Sequence, residues 1–204
     1  MPRHLSLRLV FAALATTLAV RCQQSPQAPS TASAVPSANQ AASGSAAASA
    51  ASAGANGHTV SIMDACDPES FNAVLGAGAC TRNGGVRFEE FIRLLTAQRS
   101  VGAWHFTPTQ ATLAVGDVLQ AINRGGEEHT FTEVEEFGGG IVPQLNELSG
   151  NTTVAPECAA LKADDRIPPG GRSEAETETE EGVEKYQCCI HPWMRLELRV
   201  NKKN

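Results

Sequence analysis

The sequence predicts an all-β domain in its C-terminal half, behind a short helical segment and a long unstructured N-terminal region. After residue 100, several short runs are rich in β-branched and aromatic residues, and Gly-rich turn signals separate them. The same region has no convincing helical period. Many short strands joined by turns are typical of a β-sandwich, and we expect this fold for residues 101–204.

The N-terminal region predicts export and a tether. Arg3 and Arg8 precede an apolar run over residues 9–20, which is typical of a secretory signal and too short to span a membrane. A buried N-terminal helix is the alternative. We assign residues 1–22 to a signal for a periplasmic or other extracytoplasmic location. Residues 23–57 contain almost only Ala, Ser, Gln, Pro and Gly, so they predict a disordered tether.

Cys22 stands between the signal and the tether, where a bacterial lipoprotein carries its acylated cysteine. Lipidation there would anchor the chain to a membrane. Arg21 occupies the preceding position, where a lipoprotein signal needs a small residue, and it favours cleavage by an ordinary signal peptidase. Both outcomes stay open.

Residues 58–100 are expected to form a short leading segment with one helix. Its acidic residues between positions 64 and 72 lack the spacing of a calcium-binding EF-hand loop. The helix is predicted because apolar residues recur at i, i+3, i+4 and i+7. These residues are Phe88, Phe91, Ile92 and Leu95.

The strands of the β-domain follow in order, and the last is the clearest. Residues 195–200 alternate apolar and polar side chains, which predicts a half-buried strand. An irregular stretch over residues 138–172 is rich in Gly, Pro and Asn, and a loop of that length is usually functional or cross-linked. The predicted strands cover residues 104–106, 113–115, 118–123, 129–134 and 195–200.

Composition and motifs exclude several classes of function. The formal net charge is −6 and the pI is near 5.4, so the chain lacks the basic footprint of a nucleic-acid-binding protein. The sequence contains no P-loop, no GxGxxG and no CxxCH haem motif. The chemistry must therefore come from another set of side chains.

The stretch YQCCIHPWMR, residues 186–195, gathers soft metal ligands in one loop. A thiolate, two imidazoles and a weak axial thioether select copper and suit one-electron transfer. Cys188, His191 and Met194 supply three of these four groups. His129 is the best placed second histidine because it opens a β-rich run after a Gly-rich turn. The metal alternative is a zinc site built from Cys188, Cys189, His129 and His191.

Strand alternation separates the two adjacent cysteines. Tyr186 and Cys188 share one face, and Cys189 shares the other with two polar residues, Lys185 and Gln187. The aromatic side chain marks the first face as the inward one. Cys188 is therefore the predicted ligand, and Cys189 is left to pair.

Six cysteines in an exported chain favour disulfides. With Cys22 and Cys188 set aside, the remaining four allow three pairings. We favour a short local loop and a second bond that pins the 138–172 stretch beside the ligand loop. These candidate disulfides are Cys66–Cys80 and Cys158–Cys189.

Residues 104–200 resemble the cupredoxins, the small blue copper proteins that include plastocyanin, azurin and amicyanin. The ligand loop is similar to the Tyr-x-Cys-x-x-His-Pro-Phe-Met-Arg pattern of amicyanin, with Trp193 in the Phe place. The 138–172 insertion and the extra Cys189 depart from the simplest members. The matching residues are Val115, Gly116, Asp117, Asn123, His129, Tyr186, Cys188, His191, Pro192, Met194 and Arg195.

The resemblance implies a Greek-key β-sandwich of cupredoxin type that holds one copper ion cycling between Cu(I) and Cu(II). Since protein groups fill all the ligand positions of such a blue, type 1 site, it implies an electron carrier and not an enzyme. His191 would reach the surface to carry the electron, inside an apolar docking rim of Pro192 and Trp193. The implied ligands are His129, Cys188, His191 and Met194.

An acidic run between residues 174 and 184 suggests a partner surface. Glu178, Glu180 and Glu181 are candidates for docking a basic redox partner, such as a c-type cytochrome or an oxidoreductase; a solvated face is the alternative. The same copper ligands would serve a copper-handling carrier or store without electron transfer. A cupredoxin-fold adhesion domain is a third alternative, which the complete ligand set disfavours.

Overall fold

The computed structural model describes residues 56–203. The predicted signal over residues 1–22, including Cys22, and nearly all of the predicted tether over residues 23–57 lie outside the described residues. Within the described part of the chain, no helix combines the length and the apolar character needed to cross a membrane.

Short strands dominate residues 56–203, and helices are few. The strands are β1 Gly57–Met63, β2 His105–Thr107, β3 Gln110–Ala114, β4 Val118–Asn123, β5 His129–Thr130, β6 Thr132–Val134, β7 Arg166–Ile167, β8 Glu176–Thr177, β9 Gly182–Gln187 and β10 Arg195–Asn201. The helices are α1 Pro68–Leu75, α2 Phe88–Gln98, α3 Pro143–Ser149 and α4 Pro156–Ala159.

Two four-stranded sheets share one hydrophobic core. Their strand orders are β2-β1-β4-β8 and β3-β10-β9-β6, and β5 pairs with β7. Each sheet mixes parallel and antiparallel neighbours, since β1 runs parallel to β4 and β3 runs parallel to β10. Ile62 and Leu119 of the first sheet and Leu196 and Leu198 of the second belong to one buried cluster. The fold is mainly β, and its Greek-key connection stays a prediction.

Strand β10 has the alternation that the sequence predicted. Leu196, Leu198 and Val200 are buried, whereas Glu197 and Arg199 are exposed. Burying each of these apolar side chains contributes roughly 1.5–3 kcal/mol. A slip of one residue would expose all three, so the strand fixes the register of the ligand loop that precedes it.

Residues 58–100, expected as a short leading segment, contribute a strand and two helices to this core. Strand β1 lies between β2 and β4, and α2 covers the apolar residues that predicted a helix. Phe71 of α1 and Phe91 of α2 are buried in the core cluster. A disulfide between Cys66 and Cys80 encloses α1.

The 138–172 stretch contains α3, α4 and β7, and it covers the face of β9 that alternation turned away from the core. The Cys158–Cys189 disulfide joins the two. The Gln187 side chain also accepts the Gly138 N–H over 2.9 Å. Gln187 and Cys189 are fully buried as a result, so both faces of the chain are enclosed where β9 ends and the ligand loop begins.

Candidate metal centre

The ligand loop starts where β9 ends and closes where β10 begins. The Cys188 N–H donates to the Met194 carbonyl over 3.1 Å, and the Met194 N–H donates to the His191 carbonyl over 2.9 Å. These bonds fold the loop into a tight turn between two paired strands. All three residues are buried.

The side chains of His129, Cys188 and His191 converge. Cys188 Sγ lies 3.7 Å from His129 Nδ1 and 3.8 Å from His191 Nδ1. One potential ligand atom from each residue lies within 4.8 Å of the other two. Met194 is 1% exposed and belongs to the same buried cluster as Cys188. The structure thus brings the three strong predicted ligands to one point, and it buries the fourth in the hydrophobic cluster that contains Cys188.

The surroundings of Cys188 favour its thiolate. The N–H groups of Thr130 and His191 point at the sulfur, over 3.5 and 3.4 Å. Burial acts against ionisation, but hydrogen bonds with His129 and His191 outweigh it and hold the pKa of Cys188 well below its ordinary value. The thiolate is the form that binds metal ions, so the site is prepared for a cation.

Asp64, the first residue after β1, holds the far side of the His129 ring. Its Oδ2 lies 2.9 Å from His129 Nε2, and both side chains are buried. Burial acts to raise the pKa of Asp64, but the hydrogen bond from His129 and the N–H groups of Glu127 and Gly126 lower it to about 2. Burial acts to lower the pKa of His129, but its bonds to Asp64 and Cys188 raise it to about 9. Metal binding at Nδ1 therefore has to displace a proton.

His191 is enclosed, and only 3% of its surface is exposed. Phe91 of α2 and Trp193 flank its ring, at centroid distances of 6.5 and 5.5 Å. Glu127 Oε2 lies 3.8 Å from His191 Nε2 and accepts the Trp104 indole N–H over 2.6 Å. The expectation that His191 reaches the surface is wrong, because α2 packs over its ring. Helix α2 lies outside the part of the chain that resembles cupredoxins, so the resemblance did not indicate this cover.

Of the two residues predicted to form an apolar docking rim, only Trp193 keeps exposed surface. Pro192 is buried, and Trp193 is half-buried and keeps part of its surface. The exposed aromatic surface at the ligand loop therefore belongs to Trp193, whose ring is also in contact with Phe91 at 6.0 Å.

The acidic run is only partly a surface. Glu180 and Glu181 are exposed, as docking requires. Glu178 is 3% exposed, which contradicts its predicted docking role. The reason is its backbone, which exchanges hydrogen bonds of 2.9 and 2.7 Å with Asp117 and Gly116 in the turn between β3 and β4.

The donor set fits copper better than the zinc alternative. Cys189 is bound to Cys158 in a disulfide, so it is not available to a metal ion that Cys188 binds. One thiolate, two imidazoles and a buried methionine remain, which is the set that copper prefers. A second group, Asp64, Cys66 and Glu127, also lies within 4.8 Å, but Cys66 is in a disulfide and Asp64 already accepts from His129.

Sequence reasoning missed the groups behind the two histidines. Asp64 was considered only for calcium, and Glu127 and Trp104 were given no role. The signal that would have found Asp64 is the parallel pairing of β1 with β4, which places Ile62 opposite Asn123. That pairing joins residues about sixty positions apart, and no local pattern marks it.

The solved structures that are similar to this chain include cupredoxins, and the similarity is low. No protein-family profile and no curated protein matches the chain. Its solved structural neighbours include a purple cupredoxin from Nitrosopumilus maritimus, with 17% sequence identity and a TM-score of 0.40 over 70% of this chain and 98% of that chain. They also include two reduced amicyanin variants, with 24% and 20% identity and TM-scores of 0.31 and 0.34, over 46% and 50% of this chain and 70% and 78% of theirs. These scores are too low for the likeness alone to establish a shared fold.

The buried Glu178 predicts a pH-dependent stability. Burial, then its hydrogen bond to Glu184 and the neighbouring carboxylates, raises the pKa of Glu178 from 4.5 to about 8. Below the unfolded-state pKa of 4.5, the carboxyl group is protonated in both states and the fold keeps its full stability. The free energy of unfolding falls as the pH rises through about 8, because burial opposes ionisation of Glu178 in the folded state. Glu178→Gln should therefore gain stability relative to the wild type as the pH rises.

Denaturant unfolding at several values between pH 5 and pH 9 measures this effect, with the exposed Glu181→Gln as the matched control. The difference between Glu178→Gln and wild type should grow toward pH 9, and the control should show no such trend. A difference that is constant with pH would contradict the prediction.

Proposed function

We propose that this chain is an exported, one-electron carrier with a single type 1 copper site formed by His129, Cys188, His191 and Met194. The observation that carries the proposal is the buried convergence of Cys188 Sγ with the two Nδ1 atoms, at 3.7 and 3.8 Å. Copper, when bound, supplies the one-electron couple. The protein supplies a fixed set of donors and keeps water out.

Three features of the chain suit this role, and the first of them argues against an enzyme. The ligands are buried, which leaves no open position for a substrate. The N–H groups of Thr130 and His191 donate to the sulfur and spread its negative charge. Arg195 holds the end of the loop by donating to the Pro192 carbonyl over 2.9 Å and to the Asn151 side chain over 2.6 Å.

A copper-handling role is the second candidate, and the burial of His191 favours it. An electron carrier benefits from a ligand edge that a partner can approach, whereas a store benefits from a closed site. Here α2 covers that edge, and Trp193 offers the exposed ring at the loop. A fast electron self-exchange rate supports the carrier, and a slow one with tight copper supports the store.

The proposed location and partners follow from the same picture. Two disulfides suit an oxidising, extracytoplasmic compartment, and Cys22 would be the membrane anchor if it is lipidated. Glu180 and Glu181 remain as candidate docking groups for a basic redox protein, such as a c-type cytochrome or an oxidoreductase.

The full chain, freed of metal and titrated with Cu(II), should bind one equivalent. A thiolate bound to Cu(II) absorbs strongly in the visible range, so the product should be intensely coloured. Metal analysis and absorption spectroscopy measure both properties. A colourless product, or one without tight copper, would contradict the proposed site.

The two adjacent cysteines should respond differently to replacement by serine. Cys188→Ser should lose the visible band entirely because a hydroxyl is a hard and poorly ionised ligand. Cys189→Ser should keep the band but lose about 2–5 kcal/mol of stability, which is typical for the loss of a native disulfide. It should also expose one new free thiol, at Cys158.

Absorption spectra, denaturant unfolding and a thiol assay on the two variants provide the test, and each variant is the control for the other. If Cys189→Ser bleaches the protein and Cys188→Ser does not, the ligand assignment is wrong.

Electron exchange with a basic cytochrome should slow as salt rises, since exposed charges are screened over about 10 Å at 0.1 M. The double variant Glu180→Gln, Glu181→Gln should flatten this dependence. Glu69 and Glu147 are exposed elsewhere, so their double replacement by Gln removes the same charge and is the matched control. Stopped-flow rates against ionic strength measure the effect, and equal slopes for the two double variants would exclude docking at Glu180 and Glu181.

A further inference from the structure

We infer that Asp64 is a positioning residue that keeps a proton on His129 Nε2, directs Nδ1 to the metal and favours Cu(II) over Cu(I). This inference rests on the proposed copper function. It concerns a residue outside the segment that resembles cupredoxins.

The fold brings Asp64 to the metal centre through strand pairing. Strand β1 ends at Met63, and it lies parallel to β4, which ends at Asn123 opposite Ile62. The polypeptide therefore leaves the sheet at the same edge and in the same direction after β1 and after β4. Asp64 emerges beside the loop that leads from β4 to His129.

The carboxylate of Asp64 accepts four hydrogen bonds. Its Oδ1 accepts the N–H groups of Cys66 and Gly126, over 3.2 and 2.9 Å. Its Oδ2 accepts the Glu127 N–H over 3.0 Å and lies 2.9 Å from His129 Nε2. Since both oxygens already face N–H donors, the group acts only as an acceptor, and His129 Nε2 must be the donor.

The position of the Nε2 proton decides which nitrogen binds the metal. A neutral imidazole carries one N–H and one lone pair. Once the Nδ1 proton has been displaced, a proton held on Nε2 leaves the lone pair on Nδ1, which is 3.7 Å from Cys188 Sγ. A carboxylate behind a ligating histidine also makes that ligand more basic.

The surrounding backbone is shaped to admit this carboxylate. A Cβ at Gly125 would overlap the Asp64 carboxylate, and a Cβ at Gly126 would be too close to Cys66 Sγ. The Gly125-Gly126 pair is therefore required for the close approach. The disulfide of Cys66 with Cys80 fixes the chain two residues beyond Asp64.

His191 has no equivalent partner. Glu127 Oε2 lies 3.8 Å from His191 Nε2, beyond hydrogen-bond distance, and it already accepts the Trp104 N–H over 2.6 Å. Burial is the main cause that raises the pKa of Glu127, and it therefore disfavours the charged form of this carboxyl group. The positioning role is therefore assigned to Asp64 at His129, and no such role is assigned to Glu127 at His191.

The charge of Asp64 has a predictable effect on the copper couple. Its side chain is 1% exposed, and water screens a buried charge poorly. A fixed negative charge near the metal stabilises Cu(II) more than Cu(I), because Cu(II) carries the larger positive charge. Asp64 should thus lower the reduction potential.

Asp64→Asn keeps the shape of the side chain and removes the charge. We expect a weaker affinity for Cu(II), by about 10–100-fold as for other groups behind metal ligands, a smaller loss for Cu(I), and so a higher reduction potential. Asp64→Glu, which keeps the charge, should stay closer to the wild-type potential. An unchanged or lower potential in Asp64→Asn, or an equal rise in Asp64→Glu, overturns the electrostatic role.

Asp117→Asn is the matched control. Asp117 is also nearly buried, accepts the N–H groups of Ala114 and Asn56, and lies 3.3 Å from His58 Nε2. It precedes β4, whereas Asn123 ends β4 near the metal centre. Its replacement should affect stability and leave the potential unchanged; a matching rise in potential would show that the effect is not specific to Asp64.

The proton itself is observed in copper-free wild-type protein. NMR should find a slowly exchanging proton on His129 Nε2 in the wild type, and faster exchange in Asp64→Asn. The absence of a proton on that nitrogen in the wild type overturns the positioning role, even if the variants do not fold. A wild-type chain that binds no copper but shows this proton would refute the proposed function and leave the contact established.

Discussion

A buried thiolate is the constraint around which this structure is arranged. Cys188 is fully buried, and a charge removed from water is costly unless partners surround it. Two imidazoles and two backbone N–H groups surround this one. The His129 imidazole needs a partner in turn, and Asp64 lies behind it at 2.9 Å. These hydrogen-bonded groups come from different segments of the chain, and the contacts between them hold those segments in place.

Two segments outside the large sheets enclose the ligand strand. Helix α2 covers His191 with Phe91, and the 138–172 stretch covers the opposite face of β9 through the Cys158–Cys189 bond. Arg195 reinforces the second contact, since its guanidinium donates to the Asn151 side chain over 2.6 Å. A loop fixed on both sides has little freedom to move when the charge of a bound metal changes, which suits an electron carrier and a store alike.

The sequence was informative where a feature depends on neighbours along the chain. The period of α2, the alternation of β10 and the spacing of the ligand loop are local patterns, and the structure contains each of them. The favoured disulfide pairs are also present. The burial of His191 and Glu178 and the contact of Asp64 could not be predicted in this way. Each depends on segments that are distant in the chain, and local periodicity carries no information about them.

The helix that covers His191 also bears on how the protein matures. The four candidate ligands are at most 3% exposed, so a hydrated metal ion has no direct approach to them in the closed chain. In the proposed copper site, the metal has to arrive before α2 packs or during a local opening that separates Phe91 from the His191 ring. The Cys66–Cys80 disulfide encloses α1, whose Phe71 ring packs against Phe91 at 5.6 Å. The order of thiol oxidation and metal delivery then determines whether the chain acquires a metal ion during folding or only in a rare local opening.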